Sequence, residues 1–245
     1  FQIYFGAEDI TTAGDALDVL VAMNPAALVT NIDNLINGGL IIADSGSFKA
    51  KNLKKAKYKT SPLEDGSLDG FRLLSIDISK QVLSAVEPFN LGHKAALRCK
   101  NMWALGLVMW LFDRDRNPTV ENLRTKFANK PEIANANIAA LNAGHAYGET
   151  AELPAGIHMY KVPKAKVAPG TYRNITGTTA IAWGLIVGSE LAEIDLLFAS
   201  YPITPASNVL HELVTRKQFR VKTFQAEDEI SAVCAAVGAS FAGSL

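Results

Sequence analysis

Two short apolar runs close to the carboxyl end each pass into a polar turn and then into a helix-forming stretch. The first is DLLFASYP leading into ITPAS at 195–207; the second is FRVKTF leading into QAEDEISAVCAAVGASFAG at 219–243. Strand, hydroxyl-bearing turn, helix, strand, carboxylate-bearing turn, helix is the order of a parallel sheet, because parallel neighbours need a crossover between them. In an open sheet of this kind the turns at the carboxyl ends of the strands line the ligand crevice. YPITPA at 201–206 brackets Thr204 with Pro202 and Pro205, and AEDE at 226–229 sets three carboxylates at a helix start.

The same alternation opens the chain. DVLVAMN at 18–24 reads as a strand, with Pro25 starting a helix to about Asn34. NGGLIIADS at 37–45 reads as a Gly-Gly stop ahead of a second buried strand, and FRLLSIDIS at 71–79 as a third, followed by a helix at about 80–87. KAALRCKNMWALGLVMWLFDR at 94–114 predicts one long apolar helix, ended by Asn117-Pro118. A helix carrying VENLRTKF and another at about 131–148, closing at Gly148, complete this part.

From 149 to 174 the texture changes to ETAELPAGIHMYKVPKAKVAPGTYRN, with three prolines, two glycines and no period. That stretch reads as a linker. Helices are expected again at about 178–193, 205–215 and 228–242. The expected fold class is therefore α/β, two domains with mostly parallel sheets flanked by helices. Their bounds are 1–150 and 175–245, with a linker at 151–174, and the chain carries no internal repeat.

Composition narrows the function. With 24 basic and 24 acidic side chains the formal charge is zero, which gives no general attraction to nucleic acid or anionic lipid. The two cysteines, Cys99 and Cys234, stand far apart and outside any CxxC spacing, so this chain alone is not expected to form a disulfide framework, a zinc site or an iron–sulfur site. Free thiols fit a cytoplasmic protein. The longest apolar run, MWALGLVMWLF, has eleven residues, against the roughly 20 a membrane span needs, and no signal peptide is visible. His93, His145, His158 and His211 share no metal-ligand spacing and read as surface or hydrogen-bonded residues. Trp103 and Trp110, seven apart, share a helix face and read as core or interface. SFKAKNLKKAKYKT packs six lysines between 49 and 59; with Glu64, Asp65 and Asp69 following, it reads as a solvated loop, or else as a site for an acidic electron carrier or coenzyme A phosphates.

GTTAIAWGLIVGSELA at 177–192, YPITPAS and QAEDEISAVCAAVGASFAG together resemble the α subunit of 2-oxoacid:ferredoxin oxidoreductases. DVLVAMN, NGGLIIADS, RCKNMWALGL and NANIAALNAG are similar to the γ part that some of these subunits carry in front of the start of a thiamine-pyrophosphate pyrimidine-type domain. Two departures stand out: no glycine-rich strand–turn–helix precedes Phe1, and the family's subunit runs past Leu245, so a fragment is expected that is not a full enzyme by itself.

The resemblance implies oxidative decarboxylation of a 2-oxoacid to an acyl-CoA on thiamine pyrophosphate, with electrons passing to ferredoxin. The cofactor would be shared with a β subunit that holds its diphosphate, Mg2+ and an iron–sulfur cluster, and coenzyme A would be the co-substrate. The γ–α fusion tilts the substrate to 2-oxoglutarate or a broad 2-oxoacid range, by analogy. A buried carboxylate on the aminopyrimidine ring favours the tautomer that takes the C2 proton. In the family the catalytic Glu is followed by glycines nine and fourteen residues on; Glu229 meets this with Gly238 and Gly243, and Glu227 does not. Glu229 is thus the catalytic choice, Glu227 the alternative, and Asp228 a residue that favours the helix dipole.

Thr204 would bond the substrate carboxylate or the thiamine adduct, with Pro205, itself a cofactor-binding candidate beside Glu229 and Glu227, and Pro202 fixing its backbone; equally, it would cap a helix beginning at Pro205. Tyr201 and Ser207 stand behind it as substrate-binding candidates. Ala232, Ala235, Ala236, Gly238, Ala239 and Gly243 leave a helix small on several faces, open to close approach by a cofactor or to tight packing. Two other readings compete. One is a non-catalytic structural or assembly module that docks to a catalytic partner; the other, a nucleotide-binding Rossmann protein, lacks any GxGxxG.

Overall fold

Alternate side chains of one buried strand feed two separate cores, and this fixes the architecture of the first part of the chain. Leu40 and Ile42 pack to one side with Leu74 and Ile76, while Ile41 and Ala43 pack to the other with Leu20 and Ala22. A strand buried on both faces is the mark of a parallel sheet covered by helices. The computed structural model describes residues 1–8, 10, 12, 14–163 and 165–244. It divides into two compact units, Phe1–Val167 and Ala168–Leu245.

In the first unit β1 (Leu17–Ala22), β2 (Leu35–Asp44) and β3 (Arg72–Ile76) form a parallel sheet in that order. Helix α1 (Pro25–Asn31) is capped by Asn24, whose side chain accepts from the Ala27 N–H, and Pro25 sits at its first turn. The Gly-Gly expected to stop the chain before the second strand lies inside β2. There Gly38 takes φ +71°, open only to glycine at little cost, and the register with β1 shifts. Lysine-rich α2 (Ala50–Lys55) replaces the expected loop. The third strand is shorter than 71–79, because the Asp77 carboxylate caps the Lys80 N–H and begins α3 (Ile78–Val86).

The single apolar helix expected at 94–114 is two, α4 (His93–Leu97) and α5 (Lys100–Leu111). Next come α6 (Asn117–Lys126) and α7 (Pro131–Thr150), so Gly148 lies within α7 and does not close it. Its role is contact: a Cβ there would meet the Trp110 ring at 2.3 Å. Gly106 and Gly144 serve the same crossing, since Cβ atoms on them would lie 1.9 Å from the Leu141 and Trp103 carbonyl oxygens. Trp103 is buried in the core beside them, as its spacing predicts.

Lys100 seals the carboxyl end of β2. Its Nζ lies 2.7 Å from Asp44 Oδ2 and 3.0 Å from Ser47 Oγ, with Asp44 wholly buried. The first part of the segment read as a linker belongs to this unit: Ile157 is buried in its core, the Tyr160 N–H donates to the Leu111 carbonyl at 2.6 Å, and Arg72 donates to the Gly156 carbonyl and the Tyr160 hydroxyl. No described residue between 151 and 174 lies in a helix or strand.

The second unit holds a two-stranded parallel sheet, β4 (Leu196–Ser200) and β5 (Val221–Gln225), with Ser200 opposite Gln225. Its helices are α8 (Gly177–Ala192), α9 (Ser207–Val214) and α10 (Glu229–Phe241). Thr176 caps α8 through the Thr179 N–H. Trp183 and Arg216 both donate to the Glu212 carboxylate and join α8 to α9; the Arg216 bond, first among the causes, holds that carboxyl below its usual range. Ala182, Ile186, Leu196 and Leu213 make the core.

Candidate functional site

Because β4 and β5 are parallel neighbours ending at the same level, the turns that leave them run side by side. The Ala226 N–H donates to the Ser200 carbonyl at 2.7 Å and ties the two turns together. Between them opens a cleft of about 360 Å³. Thr204, Pro205 and Tyr201 line it from one turn, and Glu229 with Ala232 and Ala236 from the first turns of α10. The hydroxyl-bearing bend and the acidic helix start therefore face a common space.

The carboxylates at the start of α10 divide as their positions dictate. Asp228 is the N-cap: its Oδ1 accepts from the Ser231 N–H at 2.8 Å, which satisfies a donor that the helix cannot. This is a tighter task than the dipole effect expected of it. Glu229 follows at the first helical position, and its carboxylate has no hydrogen-bond or ion-pair partner among the described residues. It is exposed among the described residues, in contrast to the buried carboxylate expected from the sequence. Glu227 is exposed in the turn after β5 and does not border the cleft.

Thr204 does not cap a helix. α9 starts at Ser207, with Ala206 at the cap position and no side-chain cap. The peptide bond between Thr204 and Pro205 is cis, and the Thr204 hydroxyl makes no hydrogen bond among the described residues. Ser207 takes the local role instead: its Oγ donates to the Ile203 carbonyl at 2.8 Å and lies 3.1 Å from the Ile203 nitrogen. That hydroxyl is committed to the bend, and Ser207 does not border the cleft. Tyr201 is half-buried on the lining.

Ser200, Ile203 and Val233 also line the cleft and were not singled out from the sequence. Ser200 is buried at the last position of its strand. Their signal was positional, being the last strand residue and one helical turn past Glu229. Of the small residues on α10, Ala232 and Ala236 border the cleft, one turn apart. Gly238 and Gly243 have open space where a Cβ would stand, so tight packing within the described residues does not account for them.

The donor set suits the pyrimidine end of thiamine pyrophosphate. A flat aminopyrimidine needs an apolar floor and one free carboxylate; alanine side chains and Glu229 provide these. Among the described residues no group of three or more His, Cys, Asp or Glu side chains is placed to hold a metal ion. No helix among them is long and apolar enough to cross a membrane.

Known proteins match this chain along its whole length. The family model pyruvate ferredoxin/flavodoxin oxidoreductase matches residues 1–147, and the model pyruvate flavodoxin/ferredoxin oxidoreductase, thiamine diphosphate binding, matches residues 191–245. The 2-oxoglutarate oxidoreductase subunit KorA of Mycobacterium tuberculosis (strain ATCC 25618 / H37Rv) is 49% identical over 245 residues, covering 100% of this chain and 37% of that subunit. A solved 2-oxoglutarate:ferredoxin oxidoreductase from Magnetococcus marinus, with 2-oxoglutarate, coenzyme A and succinyl-CoA bound, is 26% identical. It superposes with a TM-score of 0.68 over 97% of this chain and 36% of its own. The chain thus spans little more than a third of each of these two proteins, and by sequence and fold alike it belongs to the pyruvate ferredoxin/flavodoxin oxidoreductase family.

Proposed function

We propose that this chain supplies the pyrimidine-side half of the active site of a thiamine-pyrophosphate-dependent 2-oxoacid:ferredoxin oxidoreductase, acting on 2-oxoglutarate. The observation that carries this reading is the shared cleft, with Thr204 on one turn and Glu229 on the next, in the part of the chain that matches a thiamine-diphosphate-binding family. The cofactor, when bound, supplies the carbanion stabilisation that cleaves the 2-oxoacid. Glu229 holds the proton of the pyrimidine ring; with no partner of its own among the described residues, its carboxylate is free to do so. Thr204 donates to the substrate carboxylate, and Ser207 holds the bend that carries it. Pro205 and Tyr201 shape the wall.

A β subunit would bring the diphosphate and Mg2+ site and the iron–sulfur cluster, and would bury Glu229. Coenzyme A would take up the acyl group and ferredoxin the electrons, in the cytoplasm. In this reading the unit Phe1–Val167, which takes in the first part of the expected linker, corresponds to a γ-type domain, and Ala168–Leu245 to the start of a pyrimidine-type domain.

The test is Thr204→Val in the enzyme assembled with its β subunit. Because the hydroxyl has no partner among the described residues, the thermal midpoint is expected to stay put. The KM for 2-oxoglutarate should rise about ten-fold, as for the loss of one charge-assisted hydrogen bond of roughly 1.5 kcal/mol. Unchanged kinetics would remove Thr204 from the site, and an assembly without any 2-oxoacid-dependent, coenzyme-A-dependent activity would overturn the reading.

A further inference from the structure

Lysines in and around α2 break three local rules, although Lys54 and Lys55, in its last turn, suit the helix dipole. Lys49 occupies the cap position without a side-chain cap, and Lys51 stands in the first turn, where a cation opposes the helix dipole. Lys51 faces Lys54 and Lys55 at i+3 and i+4, a like-charge arrangement that disfavours the helix. Lys57 takes φ +63° just past the helix, where the N–H groups of Lys57 and Tyr58 close back onto the carbonyls of Lys54 and Leu53. That left-handed position favours glycine or asparagine, and a lysine there is strained.

The neighbouring acids do not relieve this charge. Asp65 is engaged by the Thr60 hydroxyl at 2.6 Å and the Ser67 N–H at 3.0 Å. None of Lys49, Lys51, Lys54, Lys55, Lys57 and Lys59 makes an ion pair among the described residues, and all six are exposed. Lys49, Lys51 and Lys57 contradict their local structure with no ion pair among the described residues to offset it, which marks a surface kept for something else.

We infer that α2 and the turn to Lys59 form the docking face for an acidic electron-carrier protein, a small protein dense in surface carboxylates. This rests on the proposed oxidoreductase function. Six cations spread over eleven residues, none of them bordering the nearby depression floored by Leu63, Phe71 and Leu73, match an extended anionic surface. A single phosphate group would call for converging donors. Complementary charge of this sort acts chiefly on the rate of encounter and fades with salt.

The experiment replaces Lys51, Lys54 and Lys55 together by Glu in the assembled enzyme, with the organism's own ferredoxin as probe. At about 0.02 M ionic strength, kcat/KM for ferredoxin is expected to fall ten-fold or more, converging with the unsubstituted enzyme at about 0.5 M. Reduction of a small viologen dye should not change, and the KM for coenzyme A should stay the same. Lys57→Gly should raise the thermal midpoint while weakening ferredoxin binding, which separates docking from folding. Unaltered ferredoxin kinetics and binding would overturn the inference, and a raised coenzyme A KM alone would reassign the lysines to phosphate. Direct titration of ferredoxin onto both proteins decides the docking even if neither reduces dye, an outcome that would sink the oxidoreductase reading instead.

Discussion

Neighbouring carboxylates at one helix start do different work because a single residue changes which way the backbone presents them. Asp228, at φ −143° and ψ 175°, turns its side chain back to a free N–H; Glu229, one residue on, is already helical and points away from that duty. Asp228→Ala is therefore expected to cost about 0.5–2 kcal/mol of stability in urea unfolding. A loss of catalysis without loss of stability would reverse the roles assigned to the pair.

His145 makes a second residue-scale case. Its Nδ1 lies 3.3 Å from Glu149 Oε1, yet the approach is misaligned, and that buried nitrogen is in no hydrogen bond among the described residues. Burial first, then the Arg116 charge, hold its imidazole below the ordinary range, with Glu149 opposing them. The unfolded chain consequently binds more protons than the folded one below about pH 6.5, so stability rises with pH there. Urea midpoints should fall between about pH 7 and pH 5.5, and the fall should be shallower in His145→Gln. An identical slope in the variant would show that other groups set the acid limb.

At the scale of elements, strand order was legible because each strand carries apolar or β-branched residues, and helices were legible where a capping side chain or an early proline starts them, as in α1, α3, α7, α8 and α10; α2, without either signal, was not. Boundaries were legible where a side chain writes them, as Asn24, Thr176 and Asp228 do. They were missed where backbone geometry decides, as at Gly38 inside β2 and at the break between Leu97 and Lys100. The glycines of α5 and α7 could be seen in the sequence but not explained by it, since their reason lies on the opposite helix. The same holds for the cleft: Thr204 and Glu229 were legible from strand order and family resemblance, while the commitment of Ser207 to Ile203 depends on a bend that periodicity does not encode.

Gly144→Ala is the matching test. A methyl group 1.9 Å from the Trp103 carbonyl oxygen must push two helices apart, and a loss of about 1–3 kcal/mol or more is expected. Gly184→Ala on α8 meets nothing within 4 Å and should be neutral or stabilising by about 0.5–1 kcal/mol. Equal effects at the two sites would contradict the crossing described for α5 and α7.

On the scale of the whole molecule, each unit carries a distinct demand for company. The second unit leaves Ile230, Val233, Val237 and Phe241 of α10 exposed along one side of the helix, and its cleft has one wall of apolar floor and free carboxylate. The first unit offers an unpaired run of lysines. Both surfaces stand exposed among the described residues, and the chain spans 37% of the KorA subunit it resembles.

The central claim is that Glu229 handles the proton of the thiamine ring, and the most direct measurement of it is hydrogen–deuterium exchange at C2 of bound thiamine pyrophosphate, followed by NMR after quenching the assembled enzyme. Glu229→Gln is expected to slow that exchange by about 10²–10⁴-fold with the cofactor still bound, while Glu227→Gln leaves it unchanged. Exchange at the normal rate in Glu229→Gln, or its loss in Glu227→Gln instead, would contradict the account.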